Sequence, residues 1–249
     1  MPSYLVGVDI GGTFTDCVII DNEGQVTTAK VPSTPADFSR GMVNAVHAGA
    51  DALGVNLEVL CRNTKLLTHG TTVGTNAVIQ KKGAKVGLIT TKGHNDVIHI
   101  MRGSRGLSGR ELDKVVHFPE STKPDPIIPK SLIEGVSERV DCFGNVVVPL
   151  NEEEAEVAVD RLLAKGVDAI AVCFLWSFKY PDHERLMRKI VTDKAPQIFV
   201  TCSSELVPKW GEYERTTAVA LNAYVGPATS SYLRKLDAEF TDFGYEHPM

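Results

Sequence analysis

The chain has 249 residues, 43% of them apolar and 23% charged, which is enough nonpolar surface to bury one large core or two small ones. Its formal net charge of −5 lacks the basic excess that nucleic-acid binding requires. There is no signal-peptide pattern at the start, and no apolar run of about 18 residues that could span a bilayer. We therefore expect a soluble, cytoplasmic protein with neither a nucleic-acid nor a membrane partner.

The first part of the sequence predicts three strands followed by a helix. The predicted strands are Tyr4–Ile10, Thr15–Asp21 and Gln25–Val31, all short and rich in apolar or β-branched residues. Pro35 and Asp37 open a stretch in which apolar residues recur at helical spacing until Gly54. This order indicates an antiparallel meander packed against one helix.

Strands and helices alternate in the next part of the chain. The predicted order is a strand at Lys65–His69, a helix at Thr71–Lys81 and a strand at Lys85–Thr90. Alternation of this kind predicts a parallel sheet. The stretch Arg102–Pro129 is rich in glycine and proline and shows little periodicity, so we expect a surface excursion there.

The remainder of the chain predicts a second α/β unit. A hairpin is expected at Val136–Asp141 and Val146–Val148, on either side of a Gly-Asn turn. It is followed by a helix at Glu154–Lys165, a strand at Ala169–Phe174, a helix at Asp182–Asp193 and a strand at Ile198–Cys202. Residues Gly211–Phe243 are expected to be helical, with a break at Gly226-Pro227 because proline lacks the amide donor that a helix needs.

The segment from Asp9 to Asp16 is the most informative motif in the sequence. It places a carboxylate at the end of one strand, Gly11 and Gly12 in the turn, and the hydroxyls of Thr13 and Thr15 on the return. Glycines let backbone amides approach an anion closely, and carboxylates hold Mg²⁺ through its water shell. The alternative is an ordinary hairpin turn in which Gly-Gly only supplies positive φ angles. The combination of residues favours phosphate binding, although no P-loop motif is present.

The Asp9–Asp16 segment resembles the first phosphate motif of actin-like ATPases and sugar kinases, in the form used by the hydantoinase/oxoprolinase family. Other stretches resemble the same family: His69–Ala77, Gly83–Gly93, Glu138–Asp141 and Gly211–Thr216. The resemblance implies an α/β fold, namely an actin-like, ribonuclease H-like lobe with an additional α/β unit. It also implies an N-terminal region at residues 1–200 and an incomplete central hydantoinase A domain from residue 201. Relatives are longer, so a second phosphate motif and an adenosine motif are expected beyond Met249.

The activity implied by this resemblance is ATP- and Mg²⁺-dependent phosphorylation of a carbonyl or enolate oxygen. The substrate would be a small carbonyl compound, either a cyclic amide that is then hydrolysed or a ketone that is then carboxylated. A second large subunit of the hydantoinase B type would complete the reaction in a hetero-oligomer. Residues Ile98–Gly103 look closest to subunits of acetone and acetophenone carboxylases. The alternatives are a non-catalytic assembly subunit with an actin-like fold and a small-molecule kinase that acts alone.

Specific residues follow from the motifs. Asp9, His69, Glu212 and Arg215 are the catalytic candidates, with Asp9 also the magnesium ligand; Gly11, Gly12, Thr13, Thr15, Asp16, Thr71 and Thr72 are the nucleotide-binding candidates. His69 precedes two hydroxyls at the start of a helix, which suits an anion. It can equally be a core histidine, and Thr71 a helix cap. Glu212 and Arg215 share one face of a helix and can form an ordinary surface ion pair.

Overall fold

A computed structural model describes residues 2–34, 37–103, 111–116, 123 and 125–248. The chain divides into two compact units. The first unit contains Met1–Lys82 together with Ala228–Met249, and the second contains Gly83–Pro227. Each unit has its own hydrophobic core, so the fold is two small α/β cores and not one large core. No helix within the described ranges is long and apolar enough to cross a membrane.

The first unit is built on a four-stranded sheet in the order β3-β2-β1-β4. Its elements in chain order are β1 (Tyr4–Ile10), β2 (Phe14–Ile20), β3 (Val26–Pro32), α1 (Phe38–Leu53), α2 (Leu57–Asn63), β4 (Thr64–Thr71) and α3 (Val73–Ile79). The predicted antiparallel meander is confirmed, and β4 joins β1 in parallel. Helix α2 was not predicted, because its seven residues give too little periodicity to recognise.

Helix α1 shows how local sequence and core packing agree in the first unit. The Asp37 carboxylate caps its start by accepting a hydrogen bond from the Ser39 amide, and Gly54 ends it with a left-handed φ of 75°. The buried face of α1 includes Met42 and Val46, which pack in the same core as the alternate β1 residues Val6, Val8 and Ile10. The predicted limits of this helix are therefore confirmed.

The second unit contains a fully parallel four-stranded sheet in the order β10-β9-β5-β6. Its elements are β5 (Val86–Thr91), α4 (Val97–Ile100), α5 (Leu112–Val116), β6 (Ile133–Val136), β7 (Arg139–Val140), β8 (Val146–Val148), α6 (Glu152–Ala164), β9 (Ala169–Cys173), α7 (Asp182–Lys194), β10 (Phe199–Cys202) and α8 (Ser203–Leu206). Strands β7 and β8 form the predicted hairpin. All of β9 is buried, as expected for a central parallel strand. Much of the predicted excursion at Arg102–Pro129 lies outside the described residues.

The last helix, α9 (Glu212–Asp242), continues through Pro227, so the predicted break at Gly226-Pro227 is wrong. Its first half supplies Val219 and Ala223 to the core of the second unit, and its second half supplies Leu236 and Phe240 to the core of the first. Because each half is fixed by its own core, packing offsets the hydrogen bond that proline removes. The two compact units nevertheless divide at this proline.

Changing Asp37 is expected to separate the capping contribution from the charge contribution at the start of α1. Asp37 contacts Lys235, and this contact together with the Ser39 hydroxyl lowers its pKa from 3.8 to about 2. We expect Asp37→Ala to lower the free energy of unfolding by about 1 kcal/mol and Asp37→Asn, which retains a capping oxygen, by less. Chemical denaturation of the chain measures both values.

The pH dependence of the same variants has a definite sign. A folded-state pKa of about 2 against an ordinary 3.8 means that the stabilisation is complete above pH 3.8 and is lost as the pH falls towards 2. The stability difference between the wild type and Asp37→Asn should therefore shrink over that interval. A difference that stays constant down to pH 2 would contradict the assignment of the pKa shift to this carboxyl.

Candidate functional site

The turn between β1 and β2 closes with a hydrogen bond from the Gly11 amide to the Phe14 carbonyl, with an N···O distance of 3.0 Å. Neither Gly11 nor Gly12 has a positive φ, so this is not a hairpin that needs glycine for backbone conformation. A Cβ on Gly11 would lie 2.9 Å from the Phe14 carbonyl oxygen, whereas a Cβ on Gly12 would meet nothing within 4 Å. Gly11 is therefore required for close packing, and the backbone at Gly12 is open.

Asp9 lies beside this turn on the exposed face of the sheet. It is opposite Asp16 on β2 and Gly70 on β4. Among the described residues, its carboxylate forms no hydrogen bond or ion pair, whereas Asp16 is paired with Lys30 at 2.9 Å. A Cβ on Gly70 would approach the Asp9 Oδ1 to 3.4 Å, so the absent side chain leaves this flank of the carboxylate uncovered. Asp9 is thus the unpaired member of the two carboxylates.

The two threonines of the motif have different positions. Thr13 is exposed in the turn, and its carbonyl accepts a hydrogen bond from the Ser33 amide. Thr15 is completely buried, with its hydroxyl 2.9 Å from that of Ser33, which in turn donates to the Gly11 carbonyl at 2.7 Å. The expectation that Thr15 contacts phosphate directly is corrected by this geometry, because its hydroxyl is turned into the protein. Thr15 and Ser33 instead hold the turn in shape.

His69 does not share the surface of Asp9. His69 is opposite Val8, whose side chain is buried, so the imidazole lies on the face of the sheet away from Asp9. It is half-buried, its ring centroid is 5.6 Å from that of Tyr232, and burial lowers its pKa. This position favours a core histidine over a phosphate ligand.

The two hydroxyls after His69 are engaged locally. Thr71 accepts a hydrogen bond from the Val73 amide at 3.2 Å. The Thr72 hydroxyl accepts one from the Asn76 side chain at 3.1 Å and makes no capping bond to the helix. Both side chains are exposed, at the end of β4 and the start of α3. The structure therefore gives them local bonds that serve the strand-to-helix connection.

Arg215 is not part of a surface pair with Glu212, because its side chain is only 1% exposed. Its guanidinium donates to the Ser177 hydroxyl at 2.5 Å, to the Ser203 hydroxyl at 2.8 Å and to the Phe174 carbonyl at 2.9 Å. Glu212 is exposed at the first position of α9. The alternative interpretation of Glu212 and Arg215 as an ordinary surface pair is thus excluded, because tertiary packing turns the arginine inward.

Glu184 is the buried counter-charge that the sequence did not identify. It is fully buried and accepts hydrogen bonds from the Phe174 amide at 2.8 Å, the Ser203 hydroxyl at 2.7 Å and the Ser204 amide at 2.7 Å. The Ser203 hydroxyl therefore connects Glu184 with Arg215. Glu184 shares the buried face of α7 with Met187 and Val191, and a glutamate at that spacing is the signal that could have revealed it.

A second buried pair, His183 with Glu138, was also not predicted from the sequence. The His183 Nδ1 lies 2.8 Å from Glu138, which additionally accepts a hydrogen bond from Thr91. Both partners of the pair are buried. Glu138 belongs to a stretch that carried the family resemblance, but its environment could not be read from the sequence.

These features define an α/β protein with an unpaired, solvent-facing carboxylate next to an open glycine turn. Comparison with known proteins makes the assignment specific. The family described as the hydantoinase/oxoprolinase N-terminal region matches residues 5–195. The chain belongs to the hydantoinase/oxoprolinase family.

The similar proteins include carboxylases and a lactamase. The acetophenone carboxylase gamma subunit of Aromatoleum aromaticum is 40% identical, over 88% of this chain and 31% of that subunit. The caprolactamase alpha subunit of Pseudomonas jessenii is 35% identical, over 98% of this chain and 34% of the subunit, and the caprolactamase crystal structure superposes with a TM-score of 0.86. A nucleotide-free acetone carboxylase structure superposes with a TM-score of 0.88 at 29% identity, covering 98% of this chain and 35% of that one. The chain thus spans about a third of the length of these relatives.

The two turn glycines are expected to differ in their tolerance of a methyl group. Gly11→Ala should lower the free energy of unfolding by about 1–3 kcal/mol, because the added Cβ meets a backbone oxygen that closes the turn. Gly12→Ala, one residue away, should change it by less than about 0.5 kcal/mol. Thermal and chemical denaturation compare the two. Equal destabilisation by both would show that the turn does not have the geometry described.

Replacing the buried Arg215 should lower the free energy of unfolding far more than replacing the exposed Glu212. We expect Arg215→Met to destabilise the chain by about 3 kcal/mol or more, because Glu184 and two serine hydroxyls lose their cationic partner inside the protein. Glu212→Gln, on the same helix, should cost no more than about 0.5 kcal/mol. Similar effects for both substitutions would restore the surface-pair interpretation.

Proposed function

We propose that this chain contributes part of an ATP site in an enzyme that phosphorylates the oxygen of an unreactive carbonyl group. One observation carries the proposal: Asp9 is an exposed carboxylate without a protein partner among the described residues, beside the open backbone of Gly12. Turns with accessible backbone amides attract anions, and a free carboxylate attracts cations. A magnesium–phosphate group presents both charges.

The sheet of the first unit supports the location of this site. Strands β1 and β4 are parallel, so their carboxyl ends, at Ile10 and Thr71, lie at the same edge as the turn. Ligands of α/β sheets commonly bind at the carboxyl ends of parallel strands. We therefore propose that the first unit is the actin-like, ribonuclease H-like lobe that the sequence resemblance implies. The domain division near residue 200 likewise stays a proposal.

The residues of the turn fit a magnesium–nucleotide group. Asp9 would hold Mg²⁺ through water, the open amide at Gly12 and the exposed Thr13 would contact phosphate oxygens, and Gly11 keeps the turn closed. Asp16, which is paired with Lys30, adds a weaker negative potential beside Asp9. Bound Mg²⁺ offsets phosphate charge as a Lewis acid during phosphoryl transfer. Phosphoryl transfer needs positioning and charge neutralisation more than a covalent nucleophile, which matches this set of residues.

The proposed substrate is a cyclic amide or a ketone. The structures of the similar proteins concern ATP-dependent acetone carboxylation and an ATP-dependent caprolactamase. In both cases an unreactive carbonyl would become reactive if its oxygen, or that of its enolate, accepted the γ-phosphoryl group and ADP departed. Because similar proteins are described as subunits, we propose a second large subunit of the hydantoinase B type in a hetero-oligomer.

Asp9 provides the decisive test in the full-length protein with its partner subunit. We expect Asp9→Asn to lower ATP-dependent turnover of the responsive carbonyl by at least about 100-fold, with little change in melting temperature. Phosphate release with caprolactam, 5-oxoproline, hydantoin, acetone and acetophenone identifies that substrate in the wild type.

The control is Asp51→Asn, which alters another exposed aspartate of the same unit. It should retain wild-type turnover. Wild-type turnover in Asp9→Asn would refute the assignment, and a large loss of stability would make Asp9 structural. Absence of ATP hydrolysis in the wild type with every carbonyl would favour the non-catalytic assembly subunit, and phosphorylation without a partner would favour a stand-alone kinase.

A further inference from the structure

The second unit contains a cleft of about 270 Å³ that the proposed ATP site does not use. Six of its lining residues carry the argument: His94, Arg139, Trp176, Trp210, Glu212 and Arg215. They come from the loop after β5, the hairpin strand β7, the loop after β9, the connection between α8 and α9, and the start of α9. Residues distant in sequence therefore converge on one opening, which is typical of a binding site.

Two charged side chains that line this cleft, Arg139 and Glu212, form no ion pair among the described residues. The Arg139 guanidinium approaches the His94 Nε2 at 3.4 Å, and among the described residues it forms no ion pair with a carboxylate. Glu212 is the single carboxylate among the described lining residues, and its side chain is likewise without an ion-pair partner there. Arg139 is thus a cationic side chain of the cleft without a bonded carboxylate among the described residues, whereas the buried Arg215 is linked to Glu184 through the Ser203 hydroxyl. An anionic group in the cleft would supply the counter-charge that Arg139 lacks.

Arg215 forms part of the wall of the cleft and is held there by internal hydrogen bonds. Its side chain is almost completely buried, and its Nε has no hydrogen-bond partner within the described part of the chain. Its two terminal nitrogens donate to neutral oxygens, one of them the Ser203 hydroxyl, which also bonds to the buried Glu184 carboxylate. Arg215 therefore fixes the wall of the cleft from inside, and the less buried Arg139 is the guanidinium that a ligand can reach.

The remaining wall of the cleft is aromatic. The Trp176 and Phe178 rings have centroids 5.6 Å apart, and Trp210 is 71% exposed at the rim. Trp176 also has a φ of 54°, an uncommon backbone conformation for a residue with a large side chain. Exposed indole and phenyl surfaces favour a flat, apolar ligand body.

We propose that this cleft binds a small monocarboxylate with a flat apolar body. The carboxylate would be held by Arg139 near His94, and the body would lie against Trp176 and Trp210. This site is independent of the Asp9 turn, and its existence does not rest on the proposed ATP chemistry.

The chain has only two tryptophans, and both line this cleft, so intrinsic fluorescence reports directly on its occupancy. Benzoate is the probe, and benzamide, which has the same shape without the charge, is the matched neutral ligand. We expect benzoate to change the emission saturably, with half-saturation below about 10 mM, and benzamide to bind at least about tenfold more weakly. No saturable change up to about 50 mM benzoate, or equal affinity for the two ligands, would overturn the proposal.

Three variants locate the binding. Arg139→Gln should weaken the affinity for benzoate about tenfold or more. The control is Arg185→Gln, which changes an exposed arginine of the same unit that is paired with Asp182 and should leave this affinity unchanged. Glu212→Gln removes the carboxylate of the cleft, and it should increase the affinity for benzoate severalfold because the repulsion between two negative charges is lost. Unchanged affinity in Arg139→Gln would contradict the site. If that variant does not fold, Glu212→Gln decides: unchanged or weaker binding overturns the proposal.

Discussion

The hydrogen-bonded chain from Glu184 through Ser203 to Arg215 is the constraint around which the second unit is organised. It joins α7, the start of α8 and α9 with the end of β9, where Phe174 contributes both its amide and its carbonyl. Two opposite charges away from water are tolerated only when their remaining donors and acceptors are satisfied. The network therefore constrains how these elements lie against one another, within a unit that also buries a large apolar core.

That network also forms part of the wall of the cleft in the second unit. Arg215 is held by neutral oxygens and lies one hydroxyl away from the Glu184 carboxylate, so its orientation at the cleft wall is fixed. Arg139 reaches the same cleft from β7, beside the buried pair of Glu138 and His183. Buried groups with hydrogen-bond partners thus hold the wall of the cleft, and Arg139 faces the cleft from beside them. Binding sites require supporting residues of this kind.

In the first unit the corresponding constraint is that successive side chains of a β-strand point to opposite faces of the sheet. Val8 and Ile10 must face the core, so Asp9 between them faces solvent, and the same alternation sends His69 to the opposite side. The turn that follows is held by Thr15 and Ser33 from inside, which leaves Asp9, Gly12 and Thr13 as the accessible groups. The Asp9–Asp16 segment and the segment that begins at His69 are both rich in hydroxyls, but their chemical surroundings therefore differ.

The sequence by itself determined the α/β class, the meander and the helix from Asp37 to Gly54, because these depend on local periodicity, capping and turn residues. Tertiary structure alone decided the rest. Helix α9 continues through Pro227, because its two halves pack in the hydrophobic cores of the two units. Tertiary packing buried Thr15 and Arg215 and gave Arg215 a counter-charge at Glu184, because burial and ion pairing depend on residues distant in the chain. The helical spacing of Glu184 with Met187 and Val191 could indicate that Glu184 is buried, but it does not identify Arg215 as the partner.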